Sequence, residues 1–341
     1  MKTVIDAIEA EREGLYDTDI LSELDAKKIE LQKEKQKFFD QRTAFNKVVR
    51  ERSRQEELNE ILIESIRGGN LPSLQYVPSD VQSTDNDLMV SLNDIHYGIE
   101  IDNYWNTYNS EVCADMMKRY LDRILNIKKT HGSENCIVWA NGDLISGSIH
   151  YSIAVQNKEN VIEQIKGVSE LISEFLAELS KHFKEVTYVS VAGNHSRISP
   201  NKDNALKDER LDDLVEWYLK ARLADFENVT IGGGEKIDET IYSINVRGKN
   251  YCGVHGDYDS TASKIAMLQA LTERQVYAVL SGHLHHNAID EVQGVKTVMA
   301  GSFVGMDDYC IQKRIYGRPE QLVLVCNEDG IVCSYDIPLN R

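Results

Sequence analysis

The sequence predicts an α/β fold, because short apolar runs alternate with amphipathic stretches from Asp87 onward. The main apolar runs have the length of β-strands and cover residues 88–92, 136–140, 186–191, 251–254 and 276–280. Helical spacing of apolar residues fills the intervals, at residues 111–130, 157–182, 208–223 and 260–273. Shorter strands are predicted at residues 241–247, 295–299, 322–326 and 331–335.

The composition is typical of a soluble globular protein and does not favour a membrane protein. The 341 residues are 42% hydrophobic and 27% charged, with a formal net charge of -17. No apolar run approaches the ~20 residues of a membrane span, and no signal-peptide pattern follows Met1. The six cysteines are scattered and include no C-x-x-C pair. These features predict a reduced, cytoplasmic protein without disulfides and without membrane contact.

The first 70 residues differ from the rest and predict a helical extension. Residues 1–67 contain one glycine and no proline, and they are rich in Glu, Lys, Gln and Leu. Apolar residues recur there at seven-residue spacing, at Leu24, Leu31, Phe38 and Phe45. Because this is only half of a heptad pattern, a coiled coil, a helical hairpin and a helix packed on the main domain all remain open. Residues 71–86 are predicted to be a linker, and residues 87–341 to form the α/β domain.

The middle of the extension is basic, although the chain as a whole is acidic. Residues 27–54 hold ten Lys or Arg against four acidic residues, a local excess of six positive charges. The overall negative charge argues against non-specific nucleic-acid binding by the whole chain. The basic stretch is therefore either an arm that binds a polyanion or an ordinary solvated helix face.

Polar residues follow the predicted strands at five places, where each strand ends. They are Asp94-Ile-His96, Gly142-Asp143, Gly193-Asn194-His195, His255-Gly256 and Gly282-His283-Leu-His285. The carboxyl edge of an open α/β sheet is where ligands bind, so these residues can converge from distant positions. Carboxylate oxygens and imidazole nitrogens together suit a pair of divalent transition ions. Two such ions favour in-line displacement at phosphorus.

The order of these five motifs resembles that of the calcineurin-like metallophosphoesterase superfamily, which has D-x-H, G-D, G-N-H, a later H and G-H-x-H. The resemblance covers roughly residues 87–310 and implies a four-layer αββα sandwich with two metals at the sheet edge. Carried over by motif, the first metal would be held by Asp94, His96, Asp143 and His285. The second would be held by Asp143, Asn194, His255 and His283, with Asp143 bridging. Mn²⁺ is favoured, and Fe²⁺, Zn²⁺ and Ni²⁺ also tolerate this ligand set.

The resemblance also implies a mechanism and catalytic residues. A water that bridges two cations loses a proton near neutral pH and attacks phosphorus in line. His195 is not a ligand in the family pattern, and it would protonate the departing oxygen as a general acid. Arg197 suits a phosphate clamp, because a guanidinium matches two phosphate oxygens, although an ordinary surface arginine is the alternative.

The sequence departs from the family pattern at two positions near His195. Relatives often have an acidic residue directly after G-N-H, where this chain has Ser196. Some relatives place an Asp or His three residues after the bridging Asp, where this chain has Ser146. The expected partner of His195 is therefore missing, and His150 is either its substitute or an ordinary loop residue.

Three functions remain open from the sequence. The protein-phosphatase signature G-D-x-x-D-R-G is absent, and the motifs resemble those of phage-encoded metallophosphoesterases described as DNA exonucleases. That resemblance includes the basic leader, the G-N-H-x-R motif ending at Arg197, and residues 301–309. It implies hydrolysis of phosphodiester bonds in DNA, in the host cytoplasm if the protein is phage-encoded. The alternatives are a phosphomonoesterase acting on a phosphoprotein or small molecule, and a non-enzymatic metal-stabilised scaffold.

Two further segments are expected to contact partners. A rim at the substrate entrance is predicted from loop residues, with ordinary loop residues as the alternative; they are Asp307, Asp308, Tyr309, Lys313 and Arg314. The N-terminal helices are predicted to bind DNA, to self-associate or to bind a protein partner.

Overall fold

The computed structural model describes residues 26–46, 49, 53, 71–149, 154–202, 205–206, 208–259, 262–314 and 316–340. The chain divides into two units, Met1–Gly68 and Gly69–Arg341. In the first unit, helix α1 spans residues 26–46 and its side chains are exposed. Val49 and Ser53 are also helical and exposed, and the other residues of the predicted helical extension lie outside the described ranges. None of the described helices is both long enough and apolar enough to cross a membrane.

The second unit contains fourteen strands and five helices in the described ranges. The strands are β1 (Asp87–Ser91), β2 (Ile101–Asp102), β3 (Thr107–Tyr108), β4 (Cys136–Ala140), β5 (Val186–Ser190), β6 (Val229–Ile231), β7 (Glu235–Asp238), β8 (Ile241–Val246), β9 (Lys249–Val254), β10 (Ala278–Ser281), β11 (Ala288–Val292), β12 (Val295–Met299), β13 (Glu320–Asn327) and β14 (Gly330–Pro338). The helices are α2 (Ser110–His131), α3 (Val161–Ser180), α4 (Asp212–Arg222), α5 (Ala262–Thr272) and α6 (Asp308–Lys313).

Two six-stranded sheets form the centre of this unit. The first has the order β14-β13-β1-β4-β5-β6, and the second has the order β11-β12-β10-β9-β8-β7. In the first sheet β1, β4, β5 and β6 are parallel, whereas β13 pairs antiparallel with both β1 and β14. In the second sheet β9, β10 and β12 are parallel. Parallel strands need cover on both faces, and every residue of β1 and β4 is accordingly buried rather than every second one.

A shared apolar core joins the facing sides of the two sheets. Trp139 of β4 and Leu324 of β13 lie in one buried cluster with Tyr251 of β9 and Leu280 of β10. All four side chains are 0% exposed. Because strand side chains alternate between faces, the opposite face of each sheet needs a second apolar cover.

Helices supply that cover and complete the layers. On the first sheet, Tyr120 of α2 donates its hydroxyl to the Ser91 carbonyl at 2.9 Å and stacks on Phe175 of α3. On the second sheet, α5 packs Ile265 and Leu268 into a separate buried cluster with strand residues. The order helix, sheet, sheet, helix is the predicted four-layer αββα sandwich, which is confirmed.

Local signals in the sequence explain where the main helices begin and end. The side chain of Asn109 caps α2 by accepting from the Val112 N–H, and Gly132 ends the helix in the left-handed conformation. Asn160 and Glu163 form a reciprocal capping box at the start of α3. Predicted boundaries differ from the observed ones by at most four residues, and those of β4 and β12 coincide with them. The short strands β2, β3, β6, β7 and β11 were not predicted, because two to five residues carry too little pattern.

Residues 71–86 form neither helix nor strand, yet they are tied to the second unit. Ser79 donates its hydroxyl to the Phe183 carbonyl at 2.6 Å, and the Thr84 N–H donates to the Glu134 carboxylate at 3.1 Å. Arg222 also donates to the Pro72 carbonyl. The segment predicted to be a linker is therefore held by hydrogen bonds along its length.

Candidate metal centre

The topology brings the five motifs to one edge of the sandwich. Asp94, Asp143 and Asn194 follow β1, β4 and β5, which are parallel neighbours in the first sheet. His255 and His283 follow β9 and β10, which are parallel neighbours in the second sheet. Because the two sheets pack face to face, the carboxyl ends of both sets of strands open toward the same space.

One group of ligand atoms gathers around Asp94. Its Oδ1 atom lies 3.5 Å from Nε2 of His285 and 3.9 Å from Nε2 of His96. The two imidazole Nε2 atoms are 3.2 Å apart. These three residues can each direct one ligand atom at a common ion.

A second group gathers around Asp143 and His255. Nε2 of His255 lies 3.2 Å from Oδ2 of Asp143 and 3.0 Å from Oδ1 of Asn194. The ring centroids of His255 and His283 are 4.9 Å apart. Asp143, His255 and His283 can direct their ligand atoms at a second common ion.

Asp143 links the two groups. Its Oδ2 atom is also 4.0 Å from Nε2 of His96, so the carboxylate faces both sets of imidazoles. His96 and Asp143 form a third candidate cluster with His195, a residue that was not predicted to be a ligand. The structure thus brings all seven predicted ligands together, and their binding of metal stays a prediction.

The chemistry of these groups fits divalent cations. Oδ1 of Asp94 is buried and has no hydrogen-bond partner in the described part of the chain. A buried carboxylate oxygen without a partner is costly unless a cation or donor satisfies it. The described clusters mix carboxylate oxygen with imidazole nitrogen, which is the donor set of transition ions.

Backbone strain is concentrated in the same residues. Nine non-glycine residues in the described ranges have positive φ, and five of them are predicted ligands. These five are Asp94 (51°), His96 (48°), Asp143 (54°), His283 (68°) and His285 (59°). The left-handed region costs roughly 1–2 kcal/mol per non-glycine residue. Strain of this kind persists where surrounding structure holds side chains in a functional arrangement.

Two glycines of the motifs are needed for close approach. A Cβ at Gly193 would overlap the Asp143 carboxylate, and a Cβ at Gly282 would overlap that of Asp94. Any side chain at either position would therefore displace a predicted ligand. This is the physical reason for the glycines in G-N-H and G-H-x-H.

The family model for calcineurin-like phosphoesterases matches residues 90–287, which is more than half of the chain. The chain belongs to the calcineurin-like phosphoesterase family. The predicted resemblance is thereby confirmed. The family match and the ligand clusters support a phosphoric ester hydrolase that binds divalent metals.

Among curated proteins, the SPbeta prophage-derived uncharacterized protein YonJ of Bacillus subtilis (strain 168) is similar to this phosphoesterase. The two sequences are 22% identical over 349 residues, and the match covers 98% of this chain and 85% of YonJ. Similar solved structures include a single mutant of Vps29 from Entamoeba histolytica, at 15% identity and a TM-score of 0.35. A novel archaeal phosphodiesterase is similar at 11% identity and a TM-score of 0.35. Each of these two structures covers 74% of this chain and 99% of its own.

Mutual electrostatics within the phosphoesterase site shift the pKa values of the ligands. Burial lowers the pKa of His255, but the neighbouring Asp143 carboxylate outweighs it and raises this pKa to about 10. Burial also lowers the pKa of His285, but the nearby Asp94 carboxylate outweighs it and raises this pKa above its usual value. An imidazole must be neutral to bind a metal, so metal binding at these residues is coupled to proton release.

A backbone carbonyl fixes the orientation of the His255 imidazole. Nδ1 of His255 lies 2.6 Å from the Asn141 carbonyl, which can only accept, so Nδ1 carries the proton. Its Nε2 then presents a lone pair to the centre when the ring is neutral. Asn141 is itself held by donating to the Leu280 carbonyl of the second sheet at 2.8 Å.

His195 has a partner that the sequence did not predict. Its Nδ1 atom donates to the main-chain carbonyl of Ser146 at 2.8 Å, and its backbone N–H donates to Oδ1 of Asp143 at 2.7 Å. The family resemblance led us to expect an Asp or His at position 146, and here the main-chain carbonyl of Ser146 contacts the imidazole instead. His150, either a substitute partner or an ordinary loop residue, lies outside the described residues.

Arg197 is buried beside the G-N-H motif. It is 7% exposed, and its Nε donates to the Asn194 carbonyl at 3.0 Å. Its Nη1 has no hydrogen-bond partner among the described residues. The surface-arginine alternative does not fit this burial, and the phosphate-clamp role stays a prediction.

Asp212 supports the site and was not predicted. It is 4% exposed at the first residue of α4. Its Oδ2 accepts from the Asp143 N–H at 3.2 Å and from the Gly193 N–H at 2.9 Å. Burial raises the pKa of Asp212 to about 7. This carboxyl therefore holds the G-D and G-N-H loops together, and no local motif marks it because 69 residues separate it from Asp143.

Replacing Asp212 with alanine should destabilise the protein by about 1–3 kcal/mol for each of the two buried N–H groups left unpaired. Asparagine keeps one acceptor oxygen and should lose less. Thermal unfolding would measure both variants. The matched control is Asp213→Ala, because Asp213 is partly exposed and its carboxylate pairs with Lys236 at 3.5 Å. An equal loss of thermal stability in Asp212→Ala and Asp213→Ala would contradict the proposal that Asp212 holds the two loops together.

The predicted rim residues lie on and around α6, and their contact with substrate stays a prediction. Asp307 caps this helix by accepting from the Cys310 N–H at 2.7 Å, while Asp308 accepts from Gln156. Lys313 and Arg314 are exposed at its end, and the side chain of Tyr309 lies outside the described positions.

Proposed function

We propose that this phosphoesterase hydrolyses phosphodiester bonds in DNA, using two divalent metals, with Mn²⁺ favoured, and His195 as general acid. The observation that carries the proposal is the placement of Asp143 between two groups of ligand atoms. Its Oδ2 faces His255 at 3.2 Å and His96 at 4.0 Å. A carboxylate shared in this way is what a two-metal hydrolytic centre requires.

The ions, when bound, would supply Lewis-acid activation of water and neutralise charge on the phosphoryl oxygens. The first would be held by Asp94, His96, Asp143 and His285, and the second by Asp143, Asn194, His255 and His283. The chain itself supplies orientation. Contacts with the Ser146 carbonyl and the Asp143 carboxylate hold His195, whose ring lies edge-to-face with that of His96 at 4.6 Å between centroids.

His195 would give a proton to the leaving oxygen. Its Nδ1–H donates to the Ser146 carbonyl. Nε2 is then the ring nitrogen that would transfer the proton. Arg197 would steady a phosphate oxygen near the Asn194 loop, through a guanidinium nitrogen that has no protein partner among the described residues.

DNA is favoured as the substrate by the resemblance to phage-encoded enzymes and by the basic helix α1. Three of its lysines, Lys33, Lys35 and Lys37, are exposed. Cationic side chains on this helix would offset the repulsion between an acidic protein and a polyanion. Self-association through the N-terminal helices and a cytoplasmic location remain predictions.

The experiment that tests this function compares Mn²⁺-dependent hydrolysis of bis-p-nitrophenyl phosphate and p-nitrophenyl phosphate. Labelled single- and double-stranded DNA are incubated in parallel. Cleavage of the diester and of DNA is expected. Monoester cleavage with intact DNA would instead favour a phosphomonoesterase, and failure on every phosphoester with metal bound would favour a scaffold.

A separate prediction concerns the basic helix α1. Replacing Lys33, Lys35 and Lys37 by glutamine should weaken DNA binding and reduce the slope of log affinity against log salt by roughly 0.7–0.9 per lost phosphate contact. Fluorescence anisotropy at several salt concentrations would measure it. The matched control replaces three exposed lysines of the second unit, Lys118, Lys129 and Lys166. Equal slopes for the two triple variants would remove helix α1 from DNA binding.

A further inference from the structure

An open pocket of about 220 Å³ lies between the β2–β3 hairpin and the segment that joins β12 to β13. Trp105 and Tyr316 contribute aromatic rings, Arg314 contributes a guanidinium, and the other lining residues are Met306, Cys310 and Ile311. Trp105 is 56% exposed and Tyr316 is 78% exposed. Large aromatic side chains this exposed contribute little to the core, so their presence around one pocket calls for a ligand.

The two segments that form the pocket also hold the first metal motif. The Phe303 N–H donates to the Asp94 carbonyl at 3.1 Å. The buried hydroxyl of Tyr108, in β3, donates to the Ile95 carbonyl at 2.5 Å. Both segments that line the pocket are therefore hydrogen-bonded to the main chain at Asp94 and Ile95.

The pocket also borders the last motif. Asn103 in the hairpin donates to the Met306 carbonyl at 3.2 Å, which joins the two walls. At Gly317, one residue beyond Tyr316, a Cβ would lie 3.8 Å from the His285 carbonyl oxygen. The pocket therefore lies next to the loop that carries His285, one of the predicted metal ligands.

The size and lining of the pocket suit one flat ring system. Its volume is below the roughly 300–1,000 Å³ typical of pockets for drug-sized ligands. Aromatic side chains bind nucleobases by stacking, because every base presents a π-face. Arg314 adds a cation that complements phosphate, and a guanidinium can also stack on a base.

We propose that this pocket stacks an unpaired nucleobase of the substrate strand next to the scissile phosphate. The inference rests on the proposed function and deepens it, because it names single-stranded DNA or an unpaired end as the preferred substrate. Bases inside a duplex are already stacked and paired, and extracting one costs a few kcal/mol. A strand with free bases avoids that cost and gains the contacts with Trp105 and Tyr316.

The test measures competition against hydrolysis of bis-p-nitrophenyl phosphate by the full-length, Mn²⁺-loaded protein. The competitors are a short oligothymidylate, an abasic oligomer of the same length and a paired duplex. Competition reports affinity whether or not the competitor is itself cleaved. The oligothymidylate should inhibit at about tenfold lower concentration than the abasic oligomer, and also at lower concentration than the duplex.

Substitutions in the pocket test whether the preference for an oligomer with free bases arises there. Trp105→Ala and Tyr316→Ala should each raise the inhibition constant of oligothymidylate about tenfold while changing that of the abasic oligomer less than about twofold. Trp217→Ala is the matched control, because Trp217 is 46% exposed on α4 and does not line the pocket. It should change neither constant.

Three outcomes would overturn the inference, and they can be told apart. Equal inhibition by the oligothymidylate and the abasic oligomer would show that no base is bound, while leaving the phosphodiesterase activity intact. An equal rise in the inhibition constant of oligothymidylate in the Trp105 and Trp217 variants would show that the preference does not arise in the pocket. Absence of reporter hydrolysis in the unsubstituted protein would instead overturn the proposed function, and this inference with it.

Discussion

Replacing Asp143 with asparagine is expected to abolish phosphodiester hydrolysis and to weaken the binding of both metals. Asp143 is 1% exposed, and its carboxylate faces His255 on one side and His96 on the other. Although burial raises the pKa of this carboxyl, His255 and His195 outweigh burial and hold it well below its usual value. Asparagine keeps the shape and removes the charge that two cations would share.

Metal affinity should fall by more than the roughly 10–100-fold that follows loss of an outer-shell partner. Elemental analysis after dialysis and titration calorimetry with Mn²⁺ would measure the metals, and bis-p-nitrophenyl phosphate would report activity. Asp122→Asn is the matched control, because Asp122 is exposed on α2. Full activity with two metals in Asp143→Asn would be incompatible with a bridging carboxylate.

The second large effect is expected at His195. His195→Ala should retain its metals and lose about 10²–10⁴ in rate, which is the usual share of a general acid. The loss should depend on the leaving group. A nucleoside alkoxide needs a proton to depart, whereas p-nitrophenolate leaves readily without one. DNA cleavage should therefore fall further than hydrolysis of bis-p-nitrophenyl phosphate.

This contrast separates an acid from a ligand, a distinction that matters because His195 lies in a candidate cluster with His96 and Asp143. If the alanine variant loses metal and both substrates slow equally, His195 acts as a ligand and not as the acid. An unchanged rate would remove it from the mechanism. His182→Ala serves as the control, because His182 is partly exposed and pairs with Glu178.

The ligand positions could be predicted from the sequence because each follows an apolar strand directly. Asp94, Asp143 and Asn194 sit in the first loop after β1, β4 and β5. The apolar runs in the sequence predict the strands, and the carboxyl ends of parallel strands lie at the same edge of a sheet. Convergence of these three residues within the first sheet therefore followed without knowledge of how the two sheets pack. The approach of His255 and His283 from the second sheet depends on that packing.

The supporting contacts could not be predicted in this way. The partner of His195 is a main-chain carbonyl at Ser146, and every residue type has such a carbonyl, so sequence carries no mark of it. Asp212 reaches the Asp143 N–H across 69 residues and is one of many acids in an acidic chain. Only the packing of α4 against the loops selects it.

The aromatic residues of the pocket could not be predicted from the sequence either. The rim was predicted from Asp307, Asp308, Tyr309, Lys313 and Arg314. Trp105 and Tyr316 were not singled out, because isolated aromatics in loops have no periodic pattern. Their meeting depends on the Asn103 hydrogen bond to Met306, which joins segments 203 residues apart.

By itself, the sequence determined the α/β class, the family and the residues that approach the centre, because strand pattern and short motifs are local properties. Tertiary structure alone decided which contacts orient His195, which buried acid braces the loops and which aromatics share a pocket. Those contacts depend on how two sheets and their connecting loops pack, and packing joins residues whose separation along the chain leaves no local signature.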